Sequence, residues 1–233
     1  MSIKYPPQKQ HIQQGLRVIC YKWGDKYSDD YVLKLKSMCE RHLPHREFVC
    51  VTDKPVEGVN CNPLIGPLPS WWGKIHLFQR GLFPGDNIYI DLDVVITANL
   101  TPLAACLKLA PTKLWTVDDF GYPLSKPRAV DPHTKKLLGG VGTINSSVML
   151  WRGDTHSEVY AAWDKFTPDV MEDLHGDQNW ITQALYPQSV RFLPDGYVKS
   201  FKYEKQAKSA ISVFHGDPKP HEVREPWVVQ NWT

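Results

Sequence analysis

Short apolar runs along this chain alternate with stretches whose apolar positions recur at helical spacing. "LRVICY" (16–21) is apolar and β-branched and predicts a first strand, and "EFVCVTD" (47–53) predicts a second. Between them Val32, Leu35, Cys39 and Leu43 share one face of a helix that Ser28, Asp29 and Asp30 open and Pro44 stops. Prolines at 63, 67 and 69 predict an irregular crossing, followed by a helix from about Lys74 in "WWGKIHLFQRGLF". The turn "PGDN" opens a strand at "NIYID"; "KLWTVDD" (113–119) and "INSSVMLWR" (144–152) predict two more, separated by a long loop with Pro and Gly. Thr155 and Glu158 have capping-box spacing ahead of a further helix, "DQNWITQALY" predicts another, and "ISVFHG" (211–216) a late strand. Strands alternating with helices imply a mostly parallel sheet flanked by helices, an α/β fold. With no repeats and no Gly/Ser-rich linker, residues 1–233 read as one domain.

Two carboxylates interrupt the most apolar of these runs. In "NIYIDLDVVITANL" (87–100), Asp91 and Asp93 sit where every neighbour favours burial. An unpaired buried carboxylate is costly and needs a cation, a proton or a metal ion. If the strand continues through both, a spacing of two turns them to one side, where like charges destabilise each other unless a cation lies between. Oxygen donors of this kind suit Mg²⁺ or Mn²⁺, although D-x-D alone is a weak signal and fits helix capping or loop bracing too. Ligands in parallel sheets sit beyond the carboxyl ends of strands, where this pair falls.

A second polar cluster closes the late strand in "VFHGDPKP" (213–220). Taken singly, His215 reads as a hydrogen-bonded structural histidine and Lys219 as a solvated loop charge. Joined to D-x-D they become two oxygens and an imidazole for a divalent ion, with a lysine point charge for phosphate. The mixed ligand set favours Mn²⁺ over Mg²⁺.

The strand ending in D-x-D, then "INSSVMLW", "GDQNW" and "FHGDPKP", resembles in order and spacing the nucleotide-sugar glycosyltransferases of the GT-A fold. It is closest to the glycogenin and lipopolysaccharide galactosyltransferase family, glycosyltransferase family 8. The resemblance implies Asp91, Asp93 and His215 as metal ligands, with Gly216, Lys219 and Lys74 at the donor diphosphate. It puts Asn145, Asp177 and Gln178 beside the transferred sugar, and Tyr21, Tyr27 and Asp53 near the nucleotide base. It further implies a UDP-sugar donor, an acceptor hydroxyl on a glycan, lipid-linked glycan or protein, retention of configuration, and a homodimer. Ser147 stands where the family's N-S-G has glycine, and His221 where a tryptophan follows K-P.

Composition narrows the alternatives. A formal charge of +2 gives no general pull toward nucleic acid or anionic membranes. No apolar run is long enough to span a bilayer, and "MSIKYPPQKQHIQQ" lacks the apolar segment of a signal peptide. Five cysteines without a C-x-x-C pair favour a reducing, cytoplasmic setting. Trp71, Trp72, Trp151, Trp163 and Trp180 are expected in the core, Trp227 and Trp232 docked on it, and Lys199, Lys202, Lys205 and Lys208 on a solvated face. Two other functions compete. "IYIDLDVV" also fits the strand-end signature of haloacid dehalogenase-type phosphatases, but that motif usually opens its chain and needs a later acidic pair. A non-catalytic nucleotide-sugar binder would keep the same residues.

Overall fold

Strand β1 (Arg17–Lys22) is third of seven in the main sheet, and the chain leaves it to build first one side and then the other. The computed structural model describes residues 15–64, 70–124, 142–163, 171, 174, 176–204 and 209–233. From β1 the chain runs through α1 (Asp29–His42), β2 (Phe48–Thr52) and β3 (Asn60–Pro63), all on one side. It then crosses by a 3₁₀ helix (Ser70–Phe78) to β4 (Asp86–Ile90) on the other. After β5 (Val94–Ile96) and α2 (Leu103–Leu109) come β6 (Leu114–Asp118), β7 (Ile144–Arg152), α3 (Glu158–Trp163), α4 (Asp177–Leu185) and β8 (Val190–Phe192). The main sheet has the order β3-β2-β1-β4-β7-β6-β8, parallel except where β7 runs antiparallel to β4 and β6. A smaller sheet, β5-β10-β9, adds β9 (Val198–Ser200) and β10 (Ile211–Val213). A short turn (Pro220–Glu222) leads to α5 (Pro226–Asn231).

The apolar runs read as strands because the sheet is covered on both faces. Along β1, Val18 and Cys20 point to the core under α1, where Val32, Leu35 and Met38 meet them. Ile19 and Tyr21 point the other way, toward the 3₁₀ helix, α3 and α4. All five cysteines are unpaired and buried; Cys20, Cys50 and Cys61 stand side by side across β1, β2 and β3, packing as small hydrophobes.

Two local expectations are corrected. The helix placed from Lys74 is a 3₁₀ helix beginning at Ser70, with every residue from Trp72 to Phe78 buried. A helix enclosed on all sides has no amphipathic stripe to mark its start. Its close approach needs Gly73, where a Cβ would come within 2.0 Å of the Tyr21 hydroxyl oxygen. The capping box of Thr155 and Glu158 does not form: Glu158 begins α3, and the buried Thr155 hydroxyl has no hydrogen-bond partner among the described residues. At the other end, Trp232 docks as expected, edge-on to Tyr31 at 5.1 Å and under Lys34 Nζ at 3.7 Å. Lys205, Lys208 and most of the loop after β6 lie outside the described residues.

Candidate active site

The order of the main sheet reverses at β1, with β2 on one side and β4 on the other. Such a switch point opens a crevice beyond the carboxyl ends of the two diverging strands. Asp91 follows β4 at that crevice. Its N–H donates to the Ser147 carbonyl at 2.9 Å, extending the β4–β7 ladder by one bond. Two residues later the Asp93 carbonyl accepts from Phe214 N–H at 2.8 Å, at the start of the β5–β10 ladder. The D-x-D is therefore the seam between the two sheets, and each carboxylate belongs to a different one.

Asp91 is held by several partners at once. Asp91 Oδ1 accepts from the Tyr89 hydroxyl at 2.6 Å and pairs with Lys74 Nζ at 2.9 Å. Lys74 also donates to Ser146 Oγ at 3.2 Å and lies 3.7 Å from Asp177 Oδ2. Burial pushes the Lys74 ammonium toward the neutral form, but the Asp177 and Asp91 carboxylates outweigh it and hold its pKa up. Burial raises Asp91 as well; the charge of Lys74 and bonds from Lys74, Tyr89 and Ser147 overcome it, and the carboxyl lies below its usual range. Ser147, the departure from the family's glycine, thus lends its side chain to Asp91. Asp177 goes the other way. Burial raises it, Lys74 offsets this only in part, and Oδ2 has no hydrogen-bond partner among the described residues.

Asp93 has fewer side-chain partners. Its Oδ2 accepts from Lys219 Nζ at 2.6 Å and from the Tyr27 hydroxyl at 2.9 Å. Lys219 also donates to the Phe214 carbonyl at 3.1 Å. Burial and the charge of Asp93 keep Tyr27 a protonated donor by raising its pKa. His215 shares a hydrogen bond of 2.6 Å between Nε2 and Ser200 Oγ and stacks on Phe120 at 5.6 Å. Burial, then the charge of Lys202, lowers its pKa and favours neutral imidazole.

One cleft of about 270 Å³ brings most of the expected residues together. Asp91, Asp93, His215, Gly216, Lys74, Lys219, Tyr21 and Tyr27 all line it. Tyr21 does so as a wall: it is buried, and its hydroxyl donates to the Ser70 carbonyl at 2.9 Å. Asp53, Asn145, Asp177 and Gln178 are not among the lining residues. Asp53 accepts from Gly24 N–H at 3.1 Å, bracing the turn after β1. Asn145 accepts from Ser147 N–H at 3.1 Å, Asp177 stands behind Lys74, and Gln178 donates to Asp119 and Thr143 at 3.3 and 3.2 Å.

The donor types of Asp91, Asp93 and His215 fit a divalent ion, and all three face the same cleft. Their present positions are not a coordination shell, since each is bonded to a protein partner. Among the described residues no three His, Cys, Asp or Glu side chains are grouped to hold a metal. The lining also includes Tyr89, Trp23 and Trp71, none of them singled out from the sequence as site residues. Tyr89 carried a signal in its spacing, two residues ahead of Asp91 on one strand. Trp71, expected in the core, is exposed.

No model of a known protein family matches the chain, and no curated protein matches its sequence. Solved structures do match. The galactosyltransferase LgtC, in complex with donor and acceptor sugar analogs, is 15% identical over 88% of this chain and 88% of its own, with a TM-score of 0.61. The glycosyltransferase GlyE of Streptococcus pneumoniae is 15% identical over 94% of this chain and 62% of its own, at 0.61. The bifunctional glycosyltransferase WbbM is 12% identical over 98% of this chain and 53% of its own, at 0.62. The architecture is thus the α/β, GT-A-type fold that these solved glycosyltransferases share. Among the described residues no helix is long and apolar enough to cross a membrane.

Proposed function

We propose that this protein is a glycosyltransferase that moves a hexose from a UDP-sugar to an acceptor hydroxyl, with retention. The observation that carries the reading is the pair of lysine–carboxylate contacts, Lys74–Asp91 and Lys219–Asp93, facing one cleft at the switch point of the sheet. A donor diphosphate needs that arrangement: cations that carboxylates hold in place until phosphate oxygens compete for them. The likeness in fold to LgtC, whose structure holds donor and acceptor sugar analogs, supports it.

In the reaction, negative charge grows on the leaving diphosphate as the sugar–phosphate bond breaks. Lys219 would exchange Asp93 for a phosphate oxygen, and Lys74, fixed from both sides, would meet that charge without reorganising. Asp91, Asp93 and His215 would hold a divalent ion, Mn²⁺ or Mg²⁺, which supplies Lewis-acid neutralisation of the same oxygens. Asp177, Asn145 and Gln178 act at one remove, by fixing Lys74, Ser147 and Thr143. Trp23, at the exit of β1 above the turn that Asp53 braces, is the exposed aromatic on the side expected for the base. Attack on the same face, with the leaving phosphate taking the acceptor proton, needs no protein base.

A thermal-shift panel of nucleotide sugars with and without Mn²⁺ tests the reading; a donor should raise the melting temperature when the ion is present. Asp93→Ala should lower turnover by about two to three powers of ten, about 3–4 kcal/mol of lost stabilisation. Near-full turnover of that variant with added Mn²⁺ would refute the role given to Asp93. Hydrolysis of p-nitrophenyl phosphate without any nucleotide sugar would favour the phosphatase.

A further inference from the structure

All nine tryptophans lie among the described residues, and only two are exposed: Trp23 at 42% and Trp71 at 46%. Both line the cleft. Indoles kept in water at one opening, while the other seven are at least partly buried, call for a ligand with an apolar face.

Trp71 is the better defined of the two. Its neighbour Trp72 turns inward, 5% exposed and stacked on Trp163 at 5.1 Å and 22°. The divergence begins at Ser70, whose φ of 54° lies in the left-handed region that a non-glycine residue adopts only under constraint. The hydrogen bond from Tyr21 to the Ser70 carbonyl, 2.9 Å long, supplies part of that constraint. On its far side the Trp71 indole rests on Gly176, where a Cβ would come within 2.9 Å of Nε1 and 3.1 Å of Cδ1. Gly176 immediately precedes Asp177 and α4. The indole is therefore held in place from two elements, at the Lys74–Asp177 end of the cleft, with nearly half its surface open.

We infer that Trp71 is a platform for a pyranose ring of the acceptor, so the acceptor is a carbohydrate and not a protein side chain. One face of a pyranose presents C–H groups of slight positive charge, which suit the negative face of an indole, while its hydroxyls remain free at the edge. The glycosyltransferase reading assigns the diphosphate to Lys74 and Lys219 and the base to Trp23, which leaves this indole to the incoming sugar. The inference rests on the glycosyltransferase reading for the name of the ligand, not for the presence of a sugar site.

The test titrates UDP-loaded protein with methyl glucoside, methyl galactoside, lactose and maltose, followed by saturation-transfer NMR and intrinsic fluorescence. Wild type should bind at least one saccharide saturably, Trp71→Phe should bind it a few-fold more weakly, and Trp71→Ala about tenfold or more. In turnover with that saccharide, the acceptor KM of Trp71→Ala should rise about tenfold while the donor KM moves less than twofold. Unchanged saccharide affinity in Trp71→Ala, a tenfold rise in donor KM instead, or binding of hydroxyl-bearing peptides alone would overturn the assignment. If wild type binds no UDP-sugar, the glycosyltransferase reading falls. The saccharide titration of apo protein then still decides: Trp71-dependent binding supports the platform, and its absence overturns it.

Discussion

Asp91 and Asp93 are two residues apart, carry the same charge, and each meets one lysine and one tyrosine, yet the networks that hold them differ in size and origin. Asp91 ends the large sheet and sits in a ring of Lys74, Tyr89, Ser147 and Asp177, drawn from the 3₁₀ helix, β4, β7 and α4. Asp93 begins the small sheet, and its partners Tyr27 and Lys219 come from loops at the cleft wall. The main chain changes sheets at Leu92, which is buried, and that crossing separates the two environments. The difference teaches that two carboxylates of one motif can be held by networks of different size, one shared with a further carboxylate, Asp177, and one not.

If so, the two lysines should differ most when removed. Lys74→Met leaves Asp91 and Asp177 buried together without their shared cation, and should cost about 3–5 kcal/mol of stability. Lys219→Met also leaves a buried carboxylate, Asp93, without its cation, but it orphans one carboxylate where Lys74→Met orphans two, and should cost less, about 2–3 kcal/mol. Donor affinity in that variant should nevertheless fall about tenfold, because the phosphate loses its point charge. Urea denaturation with a nucleotide titration measures both. Equal stability losses would abolish the contrast, and full donor affinity in Lys219→Met would return that lysine to the status of a wet loop charge.

The tyrosines sharpen the same contrast at smaller scale. Tyr89→Phe removes a buried donor to a charged acceptor and should cost about 1.5–3 kcal/mol. Tyr27→Phe removes the corresponding bond from Asp93 at a tyrosine that is only partly buried, and Asp93 keeps Lys219, so the loss should be about 1 kcal/mol. Measured in the same urea series, a larger loss for Tyr27→Phe would mean that the Asp93 network, not the Asp91 network, carries more of the stability.

Much of this arrangement was legible in the chain, for physical reasons. Strands covered on both faces leave continuous apolar runs, so β1, β2, β4, β6 and β7 were readable, and a carboxylate set into such a run stands out. His215 and Lys219 were readable because they close a strand of the same kind. What escaped depends on contacts that no periodicity records. The short edge strands β3 and β8 have no apolar alternation: Asn60–Pro63 contains one buried residue, and Arg191 and Phe192 are exposed. Trp71 and Trp72 are identical in sequence terms, and only the backbone at Ser70, held by a hydroxyl from Tyr21 49 residues away, sends one to the cleft and the other to the core. Asp177, which the resemblance puts beside the transferred sugar, stands at the start of α4 against Lys74, a contact that no spacing in the chain records.

That position of Asp177 yields the most delicate prediction, because the two carboxylates that share Lys74 pull stability in opposite directions with pH. Asp91 has a folded pKa below its unfolded value near 4, so the unfolded chain binds the proton first on acidification. Its contribution is full above that unfolded value and is lost as pH falls through the folded one. Asp177 has a folded pKa above the unfolded value, so the folded chain holds the proton longer. Its contribution is full below the unfolded value and is lost as pH rises through the folded one. Asp177→Asn should therefore remove a decline in stability that wild type shows on going from about pH 4 upward, with a net change at neutral pH within about 1 kcal/mol, since relief of burial offsets the weaker hold on Lys74. Asp91→Asn should instead flatten the acid limb below about pH 4 and cost more at neutrality. Urea midpoints taken from pH 3 to pH 7 separate the two. If both variants changed the same limb, the carboxylates around Lys74 would be acting as one group, and the ring would have no internal division of labour.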